Sequence, residues 1–151
     1  AMEAVDLTVL IPAYNSESTI TALVEEFLRI DQLSMQVIVV DDASSDGTAE
    51  AVQALADRDP RVLLLRQDRN RGAGIARNIG FPHATGRYTL FFDADDIVHP
   101  DGVLRAVHDL DLGGQDVAVL RYRYRRGLHD SQVAMNHFDL RIWDKYLGRS
   151  P

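Results

Sequence analysis

Three carboxylates stand within four consecutive positions, Asp93-Ala94-Asp95-Asp96, directly behind the apolar stretch Leu90-Phe91-Phe92. Anions this close repel one another, and a shared cation is the usual relief. Their oxygens are hard ligands that suit Mg²⁺ or Mn²⁺. Such ions keep several waters and take substrate phosphates into their shell, so one or two protein carboxylates suffice. A second acidic pair, Asp41-Asp42, follows the apolar Gln36–Val40, and Pro12-Ala13-Tyr14-Asn15 follows Leu7–Ile11. A carboxylate behind a strand often does no more than cap the next helix. That accounts for any one of these loops, but not for the density of Asp93–Asp96.

The elements that must carry these residues alternate along the chain. Leu7–Ile11, Gln36–Val40, Val62–Leu65, Tyr88–Phe92 and Val117–Tyr124 read as strands, the first stopped by Pro12. Between them lie helical patterns. Ser16 or Ser18 can cap a helix carrying Ile20, Leu23, Val24, Phe27 and Leu28, and Ser45 or Asp46 one carrying Ala49, Val52, Leu55 and Ala56. Gly72–Gly80 predicts a short helix, and another follows Pro100 with Val103, Leu104, Val107 and Leu110, ending at Gly113-Gly114. A weaker pattern predicts a helix over Phe138–Leu147. Alternation of this kind predicts an α/β fold, a mostly parallel sheet with helices on both faces. In such sheets ligands bind beyond the carboxyl ends of the strands, where all the acidic loops fall.

Composition narrows the chemistry. The 151 residues fit one domain, and the absence of cysteine excludes disulfides, thiolate zinc sites and cysteine nucleophiles. Sixteen Lys and Arg against 23 Asp and Glu give a net charge of -7, which argues against nucleic acid as a partner. Lys145 is the only lysine, and it lies outside the alternating pattern, which disfavours a phospho-receiver domain. A haloacid-dehalogenase-type phosphatase would carry Asp-x-Asp on its first strand, not its fourth. Neither a signal-peptide pattern nor a membrane-length apolar run is present. The expected address is therefore cytoplasmic, at most peripheral to a membrane. Ala1 before Met2 reads as a cloning remnant.

With these blocks in order, the chain resembles the family 2 glycosyltransferases of the GT-A fold, a Rossmann-like fold that uses nucleotide-sugar donors. The resemblance rests on Val9–Glu17, Val39–Thr48, Asn70-Arg71-Gly72, Ala76–Gly80, Gly86 and Phe92–Asp96. It implies donor nucleotide binding by Pro12, Ala13, Tyr14, Glu17, Asp41, Arg77, Asp93 and Ala94. Asp42 would help to order its loop. Asp93 would bind ribose, with a possible part in the metal site, and Asp95 would coordinate Mn²⁺ or Mg²⁺ at the diphosphate. The implied donor is a nucleotide-sugar, a UDP-sugar first, and the acceptor a saccharide, lipid-linked or cell-envelope hydroxyl. Transfer would invert the anomeric centre.

Inversion needs a base, and the family's acidic block beyond Asp-x-Asp has no counterpart. The last glutamate is Glu50, and after Gly127 only Asp130, Asp139 and Asp144 remain. No catalytic residue is assigned. The expectation is a single donor-binding domain over 1–151 whose acceptor-side region is missing, by fragmentation or natural truncation. In that form it could bind nucleotide-sugar without transferring it, and an uncovered apolar surface would favour self-association. Arg121, Arg123 and Arg125 share one face of the fifth strand, with Tyr122 and Tyr124 on the other. An edge strand kept soluble by charge accounts for this better than an anionic acceptor or lipid surface. The histidines show no metal-binding spacing of their own, and only the resemblance offers His129 or His137 to complete the metal site.

Overall fold

The computed structural model describes residues 4–114, together with the backbone of 125–126 and 129–130. The described residues fall into two compact units, the first ending at Leu104 and the second beginning at Arg105. In the first unit, β1 (Val5–Ala13), α1 (Ile20–Leu28), β2 (Met35–Asp41), α2 (Thr48–Arg58), β3 (Val62–Arg66), α3 (Ala73–Gly80) and β4 (Gly86–Phe91) follow in turn. A helical turn over Phe81–His83 joins α3 to the loop before β4. Helix α4 (Pro100–Gly113) begins in the first unit and runs on into the second. The second unit also holds a short antiparallel pair, β5 (Arg125–Arg126) with β6 (His129–Asp130). The strand expected over Val117–Tyr124 and the helix expected over Phe138–Leu147 lie outside the described residues. No helix among the described residues is long and apolar enough to cross a membrane.

The four strands β1 to β4 form one parallel sheet in the order β3-β2-β1-β4. Side chains alternate across such a sheet, so each strand feeds two cores. Leu10, Ile38 and Val40 point to one face, where Ala76 of α3 joins them and Leu63, Leu65 and Ile79 pack around. Val9, Ile11, Val37 and Val39 are also fully buried, as are Ile20, Val24 and Phe27 of α1 and Val52 of α2. Phe27 meets Phe92 edge-on at 5.1 Å, tying α1 to the chain beyond β4. Burial on both faces explains why the central strands read as continuous apolar runs.

Three local expectations are corrected. Pro12 does not stop β1; the strand continues to Ala13, with Pro12 opposite Val40. Proline is tolerated in this central strand because its missing N–H faces the β4 side. Pairing there has already ended at Leu10 and Phe91, where Leu10 O accepts from Phe92 N at 3.0 Å. Neither Ser16 nor Ser18 caps α1 with its side chain. The helix opens after Thr19, and the Ser16 carbonyl accepts from the N–H groups of Thr19 and Ile20. Nor is Ser45 or Asp46 the N-cap of α2, which is Gly47 without a side-chain cap; Asp46, one position earlier, accepts the hydroxyl and N–H of Thr48, which hold its carboxyl below the usual range.

At the edge of the sheet away from the acidic loops, Arg61 grips Asp59 through Nε and Nη2 at 3.0 and 2.8 Å and donates to Leu28 O at 3.2 Å. These bonds from Arg61 hold the Asp59 carboxyl below the ordinary value. A carboxyl lowered by folding contributes stability above its unfolded pKa and loses it as pH falls through the folded value. Asp59→Asn is therefore expected to lower stability at pH 7 by no more than about 1 kcal/mol, since Arg61 is half exposed. Denaturant melts of both proteins should converge as pH falls through the lowered Asp59 value.

A candidate nucleotide cleft at the carboxyl edge of the sheet

Parallel register puts the ends of β1, β2, β3 and β4 on one edge of the sheet, so the loops that follow them crowd together. Strand order reverses between β1 and β4. There the loops diverge and leave a crevice, the preferred binding position in open α/β sheets. A cleft of about 330 Å³ occupies that position. It is lined from β1 and its loop by Pro12, Tyr14, Asn15, Ser16, Ser18 and Thr19, from α3 by Ala73, and from the β4 loop by Asp93, Ala94 and Asp95. Its size suits a small ligand.

The walls are held by side chains. Asn15 lies in the left-handed region with φ 47° and Ala43 with φ 61°, a conformation that costs a residue such as alanine about 1–2 kcal/mol. Bonds between the two loops maintain it. Asn15 N donates to Ser44 Oγ at 2.9 Å, while Asn15 Oδ1 accepts from Ser45 N at 2.9 Å. Ser16 N donates to Thr48 Oγ1 at 2.8 Å, and Gly47 N to Glu17 Oε2 at 3.1 Å. Across the cleft, the Thr19 hydroxyl donates to Ala94 O at 2.9 Å and so tethers the acidic loop to the start of α1.

Of the residues expected to bind the donor, the cleft takes in Pro12, Tyr14, Asp93 and Ala94, along with the expected metal ligand Asp95. Ala13, Glu17, Asp41 and Arg77 do not line it. Glu17 is turned onto Gly47, and Asp41, almost fully buried, accepts from the Ser44 hydroxyl and N–H. Arg77 reaches the rim by holding Asp93 Oδ1 at 3.2 Å. The cleft also takes in Asn15, Ser16, Ser18, Thr19 and Ala73, to which the resemblance gave no donor contact. Their types suggest turns and caps, and only the switch in strand order reveals that they line one cleft with Asp95.

Asp93, Asp95 and Asp96 all remain exposed. Desolvation of its carboxyl by the surrounding loop, followed by the charges of Asp93 and Asp95, pushes Asp96 above its usual range, so negative potential gathers at this loop. Among the described residues no three acidic or imidazole side chains converge to hold a metal by themselves. The donor set therefore fits a hard divalent cation only in part. Asp95, with Asp93, would supply carboxylate oxygens, leaving other positions for phosphate and water. His99 is exposed in the loop before α4, and the side chains of His129 and His137 lie outside the described residues.

The glycosyl transferase family 2 model matches residues 8–150. The succinoglycan biosynthesis protein ExoO of Rhizobium meliloti is 43% identical over 114 residues, which are 76% of this chain and 32% of that protein. The mannosyltransferase PcManGT of Pyrobaculum calidifontis, solved with GDP-Man and Mn²⁺, is 32% identical with a TM-score of 0.64, covering 72% of this chain and 33% of that one. TarS 1-349 of S. aureus, solved with UDP-GlcNAc, is 26% identical with a TM-score of 0.69, over 89% and 38%. The chain spans about a third of the length of these relatives. Its fold is that of the GT-A nucleotide-sugar transferases, and the chain belongs to glycosyl transferase family 2.

Proposed function

We propose that this chain is the donor-binding part of a glycosyltransferase. It would take a sugar from a nucleoside-diphosphate donor, a UDP-sugar first, and pass it with inversion to the hydroxyl of a saccharide or lipid-linked acceptor. The observation that carries this reading is the cleft at the strand-order switch, where Pro12 and Tyr14 face Asp93 and Asp95. Similar chains solved with GDP-Man and Mn²⁺ and with UDP-GlcNAc support the donor class, and the similarity to ExoO supports a polysaccharide acceptor. When bound, a divalent cation supplies Lewis-acid neutralisation of the charge that builds on the departing diphosphate.

The chain's own residues divide the donor between them. Tyr14, half exposed at the mouth of the cleft, offers an aromatic face to the base. Asp93 accepts from the ribose hydroxyls while Arg77 holds its other side, and Asp95 takes the metal. Ala73 brings the N-terminus of α3, with its partial positive charge, to the diphosphate end. The base that deprotonates the acceptor is not assigned to any of these residues.

Calorimetric titration of UDP and GDP, with Mn²⁺ and with the metal chelated, tests the reading. Binding should appear only with metal. Binding of neither nucleotide, or equal binding without metal, would contradict it. Thr19→Val is expected to weaken UDP about fivefold in the same titration with Mn²⁺, the worth of one hydrogen bond of about 1 kcal/mol to Ala94 O.

A further inference from the structure

Adjacent carboxylates at the end of β2 do separate work. Asp41 folds back on Ser44, within its own loop. Asp42, also almost fully buried, reaches into the loop between β3 and α3. Its Oδ1 accepts from Gln67 Nε2 at 3.0 Å and from Arg71 N at 2.8 Å, and its Oδ2 accepts from Gly72 N at 2.8 Å. Among the described residues Gln67 Oε1 is a buried oxygen without a partner. Turning the amide over would set that oxygen against Asp42, so the loop tolerates one orphan to keep the contact.

The chain of contacts continues to the cleft. Gly72 sits at φ 92° and ψ 162°, a conformation open in practice to glycine alone. Its carbonyl accepts the first bond of α3, from Ala76 N at 3.1 Å. Ala73, the next residue, lines the cleft, and Arg77, one turn on, holds Asp93. Asp42 itself does not line the cleft.

We propose that Asp42 is a positioning residue for the diphosphate half of the donor. By clamping Arg71 and Gly72 it sets where α3 begins, and with it the placement of Ala73 at the cleft. The nucleoside half, met by Tyr14 after β1 and Asp93 after β4, does not depend on it. This inference rests on the donor reading given above.

The test compares UDP with uridine, both titrated with Mn²⁺ into wild type, Asp42→Asn and Gly72→Ala. Asp42→Asn keeps the shape of the side chain but loses an acceptor. Gly72→Ala leaves Asp42 intact and meets no steric contact, so it disturbs only the backbone conformation. Both are expected to weaken UDP about tenfold or more, as supporting contacts behind a metal or phosphate site do, and to leave uridine unchanged. Amide hydrogen exchange should quicken at Gly72 and Ala76 and stay slow at Ile38 and Val39. Unaltered UDP binding by folded variants would overturn the proposal. So would equal losses of UDP and uridine with faster exchange throughout β2, which would mark Asp42 as a general stability residue. If Asp42→Asn does not fold, Gly72→Ala carries the decision by the same readouts. If wild type binds neither ligand, the donor reading fails, and exchange at Gly72 and Ala76 still decides whether Asp42 sets the start of α3.

Discussion

Asp95→Ala is expected to abolish the metal dependence of nucleotide binding and to weaken UDP in the presence of Mn²⁺ on the order of a hundredfold. Contacts one step removed from a metal ligand are already worth about ten- to a hundredfold, and Asp95 is proposed as the ligand itself. The loop around it should persist, because Ala94 O is held by Thr19 and Asp96 N donates to Asp93 O at 3.1 Å. The variant should therefore melt like wild type, and removing one of three crowded carboxylates relieves repulsion on Asp96. Calorimetry with and without Mn²⁺ reads the effect. A variant that still gains UDP affinity on adding Mn²⁺ would remove Asp95 from the metal site.

The largest expected effect on stability comes from a residue that does not line the cleft. Gly86 opens β4 against β1, and a Cβ built there falls 2.4 Å from Thr8 N and 2.8 Å from the carbonyl carbon of Leu7. Backbone cannot swing aside as a side-chain tip can. Gly86 N also donates to Thr8 Oγ1 at 2.9 Å, and that hydroxyl donates to Gln36 Oε1 at 2.7 Å, which in turn accepts from Thr85 N at 2.9 Å. Gly86→Ala must push β4 away from β1 and break this half-buried network. The expected cost is about 3 kcal/mol, the upper part of the range for overpacked interiors. Denaturant unfolding would measure it. A loss under about 1 kcal/mol would show that β4 can shift freely on β1.

Much of this architecture was legible in the residues. Helices over Ala73–Gly80 and Pro100–Gly113 lie where glycine and proline bracket apolar periodicity, and parallel strands lie where apolar runs precede acidic loops. Pro12 misled because a missing N–H matters only where a neighbouring strand asks for it, and β4 ends before it does. Ser16 misled for a related reason. Serine before an apolar helix suggests a side-chain cap, yet here its carbonyl receives the helix and its N–H is spent on Thr48. The acidic loop was plain from the spacing of Asp93 and Asp95. The opposite wall was not, because small polar residues such as Asn15 and Thr19 carry no chemical signature until strand order sets them across from that loop.

The division of labour at the end of β2 was still less legible. Asp41 and Asp42 are identical in type and adjacent, and only their hydrogen bonds separate them. The arginines repeat the point. Arg29, Arg58 and Arg61 look as able to bind phosphate as Arg77, but each is occupied by Glu25, Glu26 or Asp59 at the far edge of the sheet. The depression they line there, beside Leu28 and Leu55, has its charges already paired. Arg77 is instead placed beside an acid that faces the cleft.

Paramagnetic broadening by Mn²⁺ in the presence of UDP tests most directly that the strand-order switch is the donor site. Amide signals of Ala94, Asp95, Thr19 and Ala73 should vanish at low Mn²⁺, with those of Leu55 and Arg58 unaffected, and omitting UDP should weaken the effect. Broadening centred on Leu55 and Arg58, or none at Ala94 with UDP present, would contradict the account.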